Sequence, residues 1–405
     1  MRILLVSQYF YPEPFIINDL VKTLSDQGHE VVVYTGKPNY PDGEIYTGYS
    51  RKEFSVETYY KKIKVYRVPL KPRGKGGAKN LVINYLSFVF SGLKHLDKIE
   101  EKKFDIVFSF GLSPITAVIP AIFVKRRLGC NLTLWVQDLW PESLEATNYI
   151  KNKFLLFLTS LLVKWIYKNC DQILVQSEGF KVPVSKYTDK GLIYYPNSIR
   201  AKESNDLGAL PVELSRYFDK NFCLVFAGNL GKAQALNIIL DAAERLTDLC
   251  DLKIILVGSG SLSNWLLGQK KLRAIGNIEL VGRYPMDTMT SIFNRSQGLV
   301  VTLSDNKMIN YTIPSKIQSY LSSGKPIIGA LNGEGAAVID DAQCGFTSKA
   351  DCSVGLESSI RKLYQLTDAQ RAELGENGLQ YFNKNFNMEV QAKNLVSILE
   401  SSVNK

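Results

Sequence analysis

The sequence has few of the residue types on which common catalytic and metal sites depend. It holds 2 histidines in 405 residues, and its 6 cysteines do not fall at metal-ligand spacings. The chain therefore has few of the residues from which a zinc site or a Ser-His-Asp triad is built. Cysteines without a pairing pattern also favour a reducing compartment over a fold stapled by disulfides.

The sequence also lacks a long apolar run. The longest one, residues 154–163, includes Thr159 and Ser160 and ends at Lys164, which makes it too short to cross a bilayer. At the start, Met1-Arg2 passes at once into ILLVS without a cleavage-site pattern. We therefore expect neither a signal peptide nor a spanning helix.

Positive charge is concentrated in the first half of the chain. Residues 1–198 hold 27 Lys+Arg against 18 Asp+Glu, whereas residues 199–405 hold 22 against 21. The segment KPRGKGGAK (71–79) precedes an apolar helix predicted over residues 80–96, and a similar helix with basic ends is predicted over 151–170. Such a pattern is typical of attachment to an anionic membrane surface, although a solvated loop beside a core helix also explains it. Nucleic acid is not expected as a partner, because no aromatic-basic ribonucleoprotein motif or recognition helix occurs.

Apolar strands alternate with helices in both halves, and this predicts an α/β fold with two domains. Strands are predicted in the first half at 29–36 and 131–137, and in the second half at 221–229 and 252–260. Continuous apolar strands separated by helices indicate parallel sheets covered on both faces. The polar stretch 199–219 interrupts the alternation and is predicted to be a linker. Ligands of such sheets bind at the carboxyl ends of strands, so the cleft between the sheets is the expected site.

Four loops of the second half are predicted to follow strand ends and to cradle a nucleotide. They are GNLGKAQAL (228–236), with Gly228, Asn229, Lys232 and Gln234; GSGSL (258–262), with Gly258; VGRYP (281–285), with Arg283 and Tyr284; and TIPSKIQ (312–318), with Pro314, Ser315, Lys316 and Gln318. We expect Pro314 in the first turn of a helix, where Ser315 and Lys316 lie beside backbone N–H groups that favour an anion. Any one loop alone could be an ordinary turn, but four at successive strand ends favour the cradle.

Over essentially its whole length the chain resembles the family 4 retaining glycosyltransferases of GT-B fold. The resemblance is carried by GHEVVVYTG (28–36), PNYPDGEIYTGY (38–49), VQDLWPES (136–143), GNLGKAQ (228–234) and PSKIQSYLSSGKPII (314–328). It implies two Rossmann-like domains facing a cleft, with the C-terminal helix crossing back to the first domain. Residues 1–198 plus 387–405 then form an acceptor-binding domain, and residues 199–386 form a nucleotide-sugar-binding domain.

The resemblance implies transfer of a sugar from a nucleotide diphosphate with retained anomeric configuration. The segments are most similar to a subgroup of bacterial O-antigen and capsule enzymes, which includes N-acetyl-L-fucosamine transferases. This implies a UDP-sugar donor with an N-acetylated deoxyhexosamine, an undecaprenyl-diphosphate-linked sugar acceptor, and peripheral attachment to the inner face of the cytoplasmic membrane. A GDP-fucose donor, a GT-B-like nucleotide-sugar epimerase and a non-catalytic binder stay open as alternatives. No cofactor or metal is expected, because the motif loops hold no paired carboxylates.

The second half departs from the family pattern at four positions. Two family glutamates correspond here to Asn310, which can contact a sugar hydroxyl, and Gln318, which can bond ribose hydroxyls; neither carries charge. The family's Arg and Lys after the first strand of this domain correspond to Asn229 and Gln234. The cations left for a diphosphate are then Lys232, Arg283 and Lys316.

Two carboxylates of the first half are candidates for contact with the acceptor. Asp138 lies near the position of a family histidine, and it is expected either to act as a base or sugar ligand or only to cap the helix that begins near Pro141. Glu13 lies in the loop after the first strand. It could reach the acceptor or be a plain loop charge.

Overall fold

A computed structural model of the protein describes residues 1–147, 149–201 and 210–403. The chain divides into two compact units. Unit 1 holds Met1–Ser198 together with the segment from Met388, and unit 2 holds Ile199–Asn387. The predicted linker 199–219 falls partly on residues 202–209, which lie outside the described residues. Beyond them the linker prediction is wrong, because residues 212–220 form a helix whose Leu214 and Phe218 pack on the core of unit 2.

Unit 1 is built on a sheet that is parallel except at one edge. Its strands are β1 (Arg2–Ser7), β2 (Glu30–Gly36), β3 (Ser55–Tyr59), β4 (Ile63–Val68), β5 (Ile106–Gly111), β6 (Asn131–Val136), β7 (Gln172–Val175) and β8 (Leu192–Tyr194). Their order is β3-β4-β2-β1-β5-β6-β7-β8, and only β3 runs antiparallel to its neighbour. The central strands are apolar on both faces, which matches a sheet covered on both sides.

The helices of unit 1 cover this sheet. They are α1 (Ile16–Asp26), α2 (Ala78–Lys94), α3 (Ile119–Leu128), α4 (Glu142–Ala146), α5 (Lys153–Asn169) and α6 (Lys181–Ser185). In α1 the residues Ile17, Leu20, Val21 and Leu24 recur at helical spacing and are all buried. Gly28, with φ +88°, then turns the chain into β2.

The edge strand β3 is not predicted by the apolar pattern of the sequence. Its SVETY segment alternates in burial, but the exposed positions are Val56 and Thr58 and the inward ones include polar Ser55 and Glu57, so the apolar pattern does not follow the buried face. Glu57 accepts a hydrogen bond of 2.6 Å from Nε of Arg67, a β4 residue whose side chain is fully buried. The strand therefore supplies the counter-ion that an arginine inside a sheet requires.

Unit 2 contains a second, fully parallel sheet. Its elements are α7 (Val212–Lys220), β9 (Phe222–Ala227), α8 (Leu236–Arg245), β10 (Leu252–Val257), α9 (Ser263–Leu272), β11 (Ile278–Gly282), α10 (Met286–Arg295), β12 (Gly298–Thr302), α11 (Lys307–Asn310), α12 (Ser315–Leu321), β13 (Ile327–Ala330), α13 (Glu334–Asp341), β14 (Gly345–Ser348), α14 (Ser353–Gln365) and α15 (Asp368–Asn385). The strand order is β11-β10-β9-β12-β13-β14. Val225 and Leu224, adjacent in β9, enter different apolar clusters, so the sheet is packed on both faces and the α/β prediction is confirmed.

The C-terminal helix, α16 (Met388–Val403), belongs to unit 1. It packs against α1 and buries Ala392, Leu395 and Leu399. The Tyr195 hydroxyl donates to the carbonyl of Gln391 at 3.1 Å. The predicted return of the last helix to the first domain is confirmed.

Within the described part of the chain, no helix combines the length and the apolar content that crossing a membrane requires.

Candidate functional site

The strand order of unit 2 creates a switch point between β9 and β12. From β9 the chain moves outward through β10 to β11, and it then crosses to the other side of β9 to form β12. The chain leaves β9 and β12 in opposite directions along the sheet, and in such sheets the ligand crevice is expected at the carboxyl ends of these two strands. This is where a ligand of such a sheet is expected.

Glycines bring the loops after β9 and β10 into backbone contact. Gly228 and Gly258 have φ values of +143° and +138°, which residues with a side chain rarely adopt. A Cβ atom on Gly258 would lie 1.8 Å from the carbonyl oxygen of Gly228. The N–H of Leu230 donates to the carbonyl of Ser259 at 3.0 Å. The first two predicted loops thus form one glycine-lined edge.

Lys316 reaches this edge from α12. Ile317 and Tyr320 are buried on the inner side of this helix. The Nζ atom of Lys316 donates to Oε1 of Gln234 at 2.7 Å and lies 3.6 Å from the ring centroid of Phe226. A Cβ atom on Gly228 would lie 3.3 Å from the same Nζ. The structure therefore brings together Gly228, Gln234 and Lys316, three of the predicted site residues.

Burial makes Lys316 a poorly solvated cation. Loss of water around its ammonium group lowers its pKa to about 7. Its contacts are a neutral amide and an aromatic face, and in residues 1–147, 149–201 and 210–403 no carboxylate forms an ion pair with it. A bound anion would favour the charged form of this lysine and raise its pKa.

Further bonds hold the two sides of the crevice in place. The N–H of Ser304 donates to the carbonyl of Ala233 at 3.0 Å, and the N–H of Ala227 donates to the Tyr320 hydroxyl at 2.8 Å. The hydroxyl of Thr302 donates to the carbonyl of Gln234. Sequence reasoning missed Phe226, Thr302 and the Tyr320 hydroxyl, because residues inside strands and on apolar helix faces give no signal for a polar contact.

The other predicted cradle residues lie around this crevice. Asn229 and Lys232 are exposed in the loop after β9. Arg283 is exposed at the end of β11, while Tyr284 packs against the core. Because β11 is two strands from β9, its end is displaced by roughly 10 Å along the sheet.

The start of α12 differs in detail from the prediction. Pro314 is extended (φ −61°, ψ 131°) and precedes the helix, so its placement in the first turn is wrong. Ser315 is the first helical residue and is exposed. The proline still fixes where the helix begins, because its ring holds φ near the helical value.

The amides at the positions of the family glutamates differ in exposure, because Asn310 is half-buried and Gln318 is buried. The Nδ2 atom of Asn310 donates to Oδ1 of Asp305 at 2.9 Å. Hydrogen bonds from Asn310 and Asn332 lower the pKa of that carboxyl. Gln318 is 1% exposed. Contacts of Asn310 with a sugar and of Gln318 with a ribose stay predictions.

In unit 1, Asp138 joins two strand ends and does not cap a helix. Its Oδ2 atom accepts a hydrogen bond of 2.6 Å from the N–H of Ser113, in the loop after β5. The cap position of α4 is occupied by Pro141, without a side-chain hydrogen bond. The helix-cap alternative is therefore wrong. Burial raises the pKa of Asp138 above its ordinary value.

Glu13 is buried, so its interpretation as a plain loop charge is wrong. Its Oε1 atom accepts hydrogen bonds of 2.8 Å from the N–H groups of Asn39 and Tyr40, and its Oε2 atom accepts one of 3.1 Å from Phe10. Burial raises its pKa to about 7. The carboxylate ties the loop after β1 to the loop after β2, a role that no sequence pattern indicates.

Comparison with known proteins matches each unit to a glycosyltransferase family. Residues 16–187 match Glycosyltransferase Family 4, and residues 221–366 match Glycosyl transferases group 1. A protein of Escherichia coli (strain K12), "Putative colanic acid biosynthesis glycosyl transferase WcaI", is 23% identical over 342 residues. The alignment covers 80% of this chain and 82% of that protein.

Solved structures share the whole fold at low sequence identity. Sucrose-phosphate synthase from Thermosynechococcus elongatus superposes with a TM-score of 0.71 at 13% identity, covering 99% of this chain and 98% of that one. HepE of Anabaena, solved in complex with UDP, gives a TM-score of 0.68 at 13% identity, covering 99% and 100%. The chain is thus a glycosyltransferase of the GT-B fold, whose two units match Glycosyltransferase Family 4 and Glycosyl transferases group 1 in that order.

Proposed function

We propose that unit 2 binds a UDP-sugar and that the enzyme transfers its sugar, with retained configuration, to a lipid-linked saccharide. The location of the donor site is inferred from the surroundings of Lys316. Its ammonium group lies at the switch point, beside glycine-lined backbone and without a described carboxylate partner. A pyrophosphate is the part of the donor that such a cation would neutralise.

The chemistry follows from the good leaving group of a nucleotide sugar. The protein needs to position the donor and to stabilise negative charge that develops on the diphosphate as the glycosidic bond breaks. Lys316 and, after reorientation of exposed side chains, Lys232 and Arg283 are our candidates for that charge. Retention would follow if the departing phosphate oxygen takes the acceptor's proton on the same face. Trapping of a covalent sugar adduct on an enzyme side chain would contradict this route.

The choice of UDP is supported by the ligands bound to structurally similar proteins. HepE was solved with UDP, and the structure "Trehalose-6-phosphate from E. coli bound with UDP-2-fluoro glucose" holds a UDP-sugar analogue. These proteins are distant, and GDP-fucose stays the second candidate. The test is thermal unfolding with UDP, GDP, CDP and dTDP at equal concentration. UDP should raise the melting temperature most, because a ligand that binds only the folded state stabilises it; a larger shift with GDP would reverse the choice.

The acceptor half of the proposal rests on similarity and charge. The WcaI name refers to colanic acid biosynthesis, which supports a role in a bacterial surface polysaccharide such as O-antigen or capsule. Residues 1–198 carry 27 Lys+Arg against 18 Asp+Glu, which suits a diphosphate-linked lipid acceptor at an anionic membrane. An N-acetylated deoxyhexosamine such as N-acetyl-L-fucosamine is the sugar we propose, and the inner face of the cytoplasmic membrane is the proposed location.

Asp138 is our candidate for contact with the acceptor hydroxyl. Its raised pKa and its position at the carboxyl end of β6 suit a base or a hydroxyl ligand. In Asp138→Asn the amide oxygen can still accept from Ser113, so stability should change little. Turnover with the lipid acceptor should fall by roughly 100-fold or more, while UDP affinity stays constant. Unchanged turnover would remove Asp138 from the site; Glu145→Gln, an exposed change nearby, is the control.

A further inference from the structure

We propose that α2 and α5 of unit 1 form a lysine-bordered apolar surface that inserts side chains into an anionic bilayer. This extends the proposed membrane attachment, and it rests on the proposed function only for the choice of a membrane as partner. It assigns the contact to particular helix faces and requires insertion of apolar groups, not only attraction between charges.

The first half of α5 projects from the body of unit 1. None of residues 153–162 is buried, and the buried face of the helix begins at Val163. Phe154 is 65% exposed and Phe157 is 56% exposed, and Leu158 and Leu161 continue the apolar surface. In a helix that only packs against the core, such residues face inward, because the fold is stabilised when large apolar side chains are buried and not when they are exposed to water.

A second exposed stripe runs along α2. Val82, Leu86 and Phe90 recur at a spacing of four residues, and Phe90 is 69% exposed. Lys79 and Lys94 are exposed at the two ends of this stripe. The opposite side of α2 carries the buried Phe88 and Leu81. The helix therefore has one face for the core and one apolar face that the described part of the chain leaves uncovered.

The two stripes belong to one side of unit 1. Helix α3 contacts both α2 and α5, and its own Phe123 is exposed. Arg126 of α3 lies over the Phe123 ring, 5.6 Å from the centroid. The apolar side chains of the three neighbouring helices therefore form an extended surface.

The charge around this surface has one sign. The segments 71–94, 119–128 and 151–169 together contain 12 Lys+Arg and no Asp or Glu. Lys151, Lys153, Lys164 and Lys168 surround the apolar residues of α5. Long basic side chains can place their heads at lipid phosphates while their stems follow the apolar surface. This complementarity selects an anionic bilayer over a neutral protein partner.

The experiment is flotation with vesicles of phosphatidylglycerol and phosphatidylethanolamine, run in 50 mM and in 500 mM NaCl. The test variant is Phe154→Ser/Phe157→Ser/Leu158→Ser, which changes only exposed residues of α5. The matched control is Leu267→Ser/Leu272→Ser, which changes exposed leucines on α9 of unit 2. UDP binding is measured on the same preparations, so that a failure of the donor proposal is seen separately.

Wild type should float at both salt concentrations, because insertion of apolar groups is not screened by salt. The α5 variant should lose at least about tenfold in vesicle affinity at high salt, while the α9 control and UDP binding stay unchanged. Flotation of wild type only at low salt, or equal flotation of the α5 variant, would overturn the proposal. So would a wild-type dimer that the α5 variant converts to monomer without any vesicle binding, since a second copy would then cover the surface.

Insertion can also be measured by how deeply Trp165 enters the bilayer. This residue lies on the exposed side of α5. Vesicles with brominated acyl chains should quench part of the tryptophan fluorescence, and Trp165→Phe should abolish that part. Quenching that is the same in Trp165→Phe and wild type would contradict insertion at this face.

Discussion

At the scale of single residues, Lys316 decides whether unit 2 can hold a diphosphate. The sequence predicted a cation near the start of a helix, and the structure adds that this cation is desolvated and bonded to Gln234. Neither the burial nor the Phe226 face beneath Nζ could be predicted, because both depend on how α12 packs against β9.

Replacement of Lys316 by alanine tests this role. We expect Lys316→Ala to weaken UDP binding by about 1.5–3 kcal/mol, the usual loss for a charge-assisted hydrogen bond. Isothermal titration measures the change. Lys220→Ala, which removes an exposed lysine of α7, should leave affinity unaltered. Equal affinities for wild type and Lys316→Ala would take the residue out of the site.

The lowered pKa of Lys316 predicts proton uptake on binding. With a pKa of about 7 the lysine is mostly neutral at pH 8, and a diphosphate would raise that pKa and draw in about one proton. Affinity should therefore fall as pH rises above 7, by at most about tenfold per pH unit. Titrations in buffers of different ionisation enthalpy give the proton count. Lys316→Met should show no uptake from this position; uptake identical to wild type would contradict the assignment.

The lowered pKa of Lys316 also affects the stability of the ligand-free protein. The free energy of unfolding should rise with pH, whereas the affinity for UDP should fall. An unfolded lysine has a pKa of about 10.4, so the unfolded chain binds the extra proton between pH 7 and that value. The contribution of Lys316 to the free energy of unfolding should therefore rise with pH across this window. It is lost as pH falls through about 7.

Glu13, for which the sequence leaves contact with the acceptor and a plain loop charge open, accepts hydrogen bonds from three backbone N–H groups. Two of its three backbone donors are buried and the third, the N–H of Tyr40, is partly buried, and Glu13→Ala would leave all of them without this acceptor. We expect a loss of about 3 kcal/mol in the free energy of unfolding, measured by urea denaturation. Glu13→Gln, which keeps one acceptor oxygen, should cost less, and the exposed change Glu178→Ala should cost little. A small effect of Glu13→Ala would mean that water replaces the carboxylate.

At the scale of elements, apolar patterns predicted most of both sheets. Strands such as β2 and β10 read as continuous apolar runs, because a parallel strand is buried on both faces. The pattern failed at β3, a half-exposed edge strand in which three of the five residues, Ser55, Glu57 and Thr58, are polar. It also failed at 212–220, where a polar stretch suggested a linker but Leu214 and Phe218 pack a helix on the core.

The helix α16 gives a test at this scale. Leu395 is fully buried against unit 1, while Val390 of the same helix is exposed. Leu395→Ala should lower the free energy of unfolding by about 2–5 kcal/mol, because it leaves a cavity in the core. Val390→Ala should change it by about 0.5 kcal/mol or less. Equal effects at both positions, measured by thermal unfolding, would show that the helix is not docked as described.

At the scale of the whole molecule, the two units have different surface chemistry. Almost all of the net positive charge lies in residues 1–198, together with the uncovered faces of α2 and α5. Unit 2 is nearly neutral and holds the glycine-lined crevice with Lys316. This division suits an enzyme that takes a water-borne donor in one unit and attaches to a membrane through the other.

The candidate site was predictable in outline because glycines and proline mark loops wherever they occur. Gly228 and Gly258 mark the ends of β9 and β10, whereas Pro314 marks the start of α12 and follows α11 rather than the predicted strand end. Which loops meet was not predictable, since it depends on the strand order that places β9 between β10 and β12. That order brings Lys316 to Gln234, whereas Arg283 follows β11 and lies two strands away from β9.

The most direct test of the account is a crystal structure of the protein with UDP. We predict that the diphosphate lies at the carboxyl ends of β9 and β12, with a phosphate oxygen within hydrogen-bond distance of Nζ of Lys316 and close to the backbone of Gly228. UDP bound elsewhere, with Lys316 still bonded only to Gln234, would contradict the central claim.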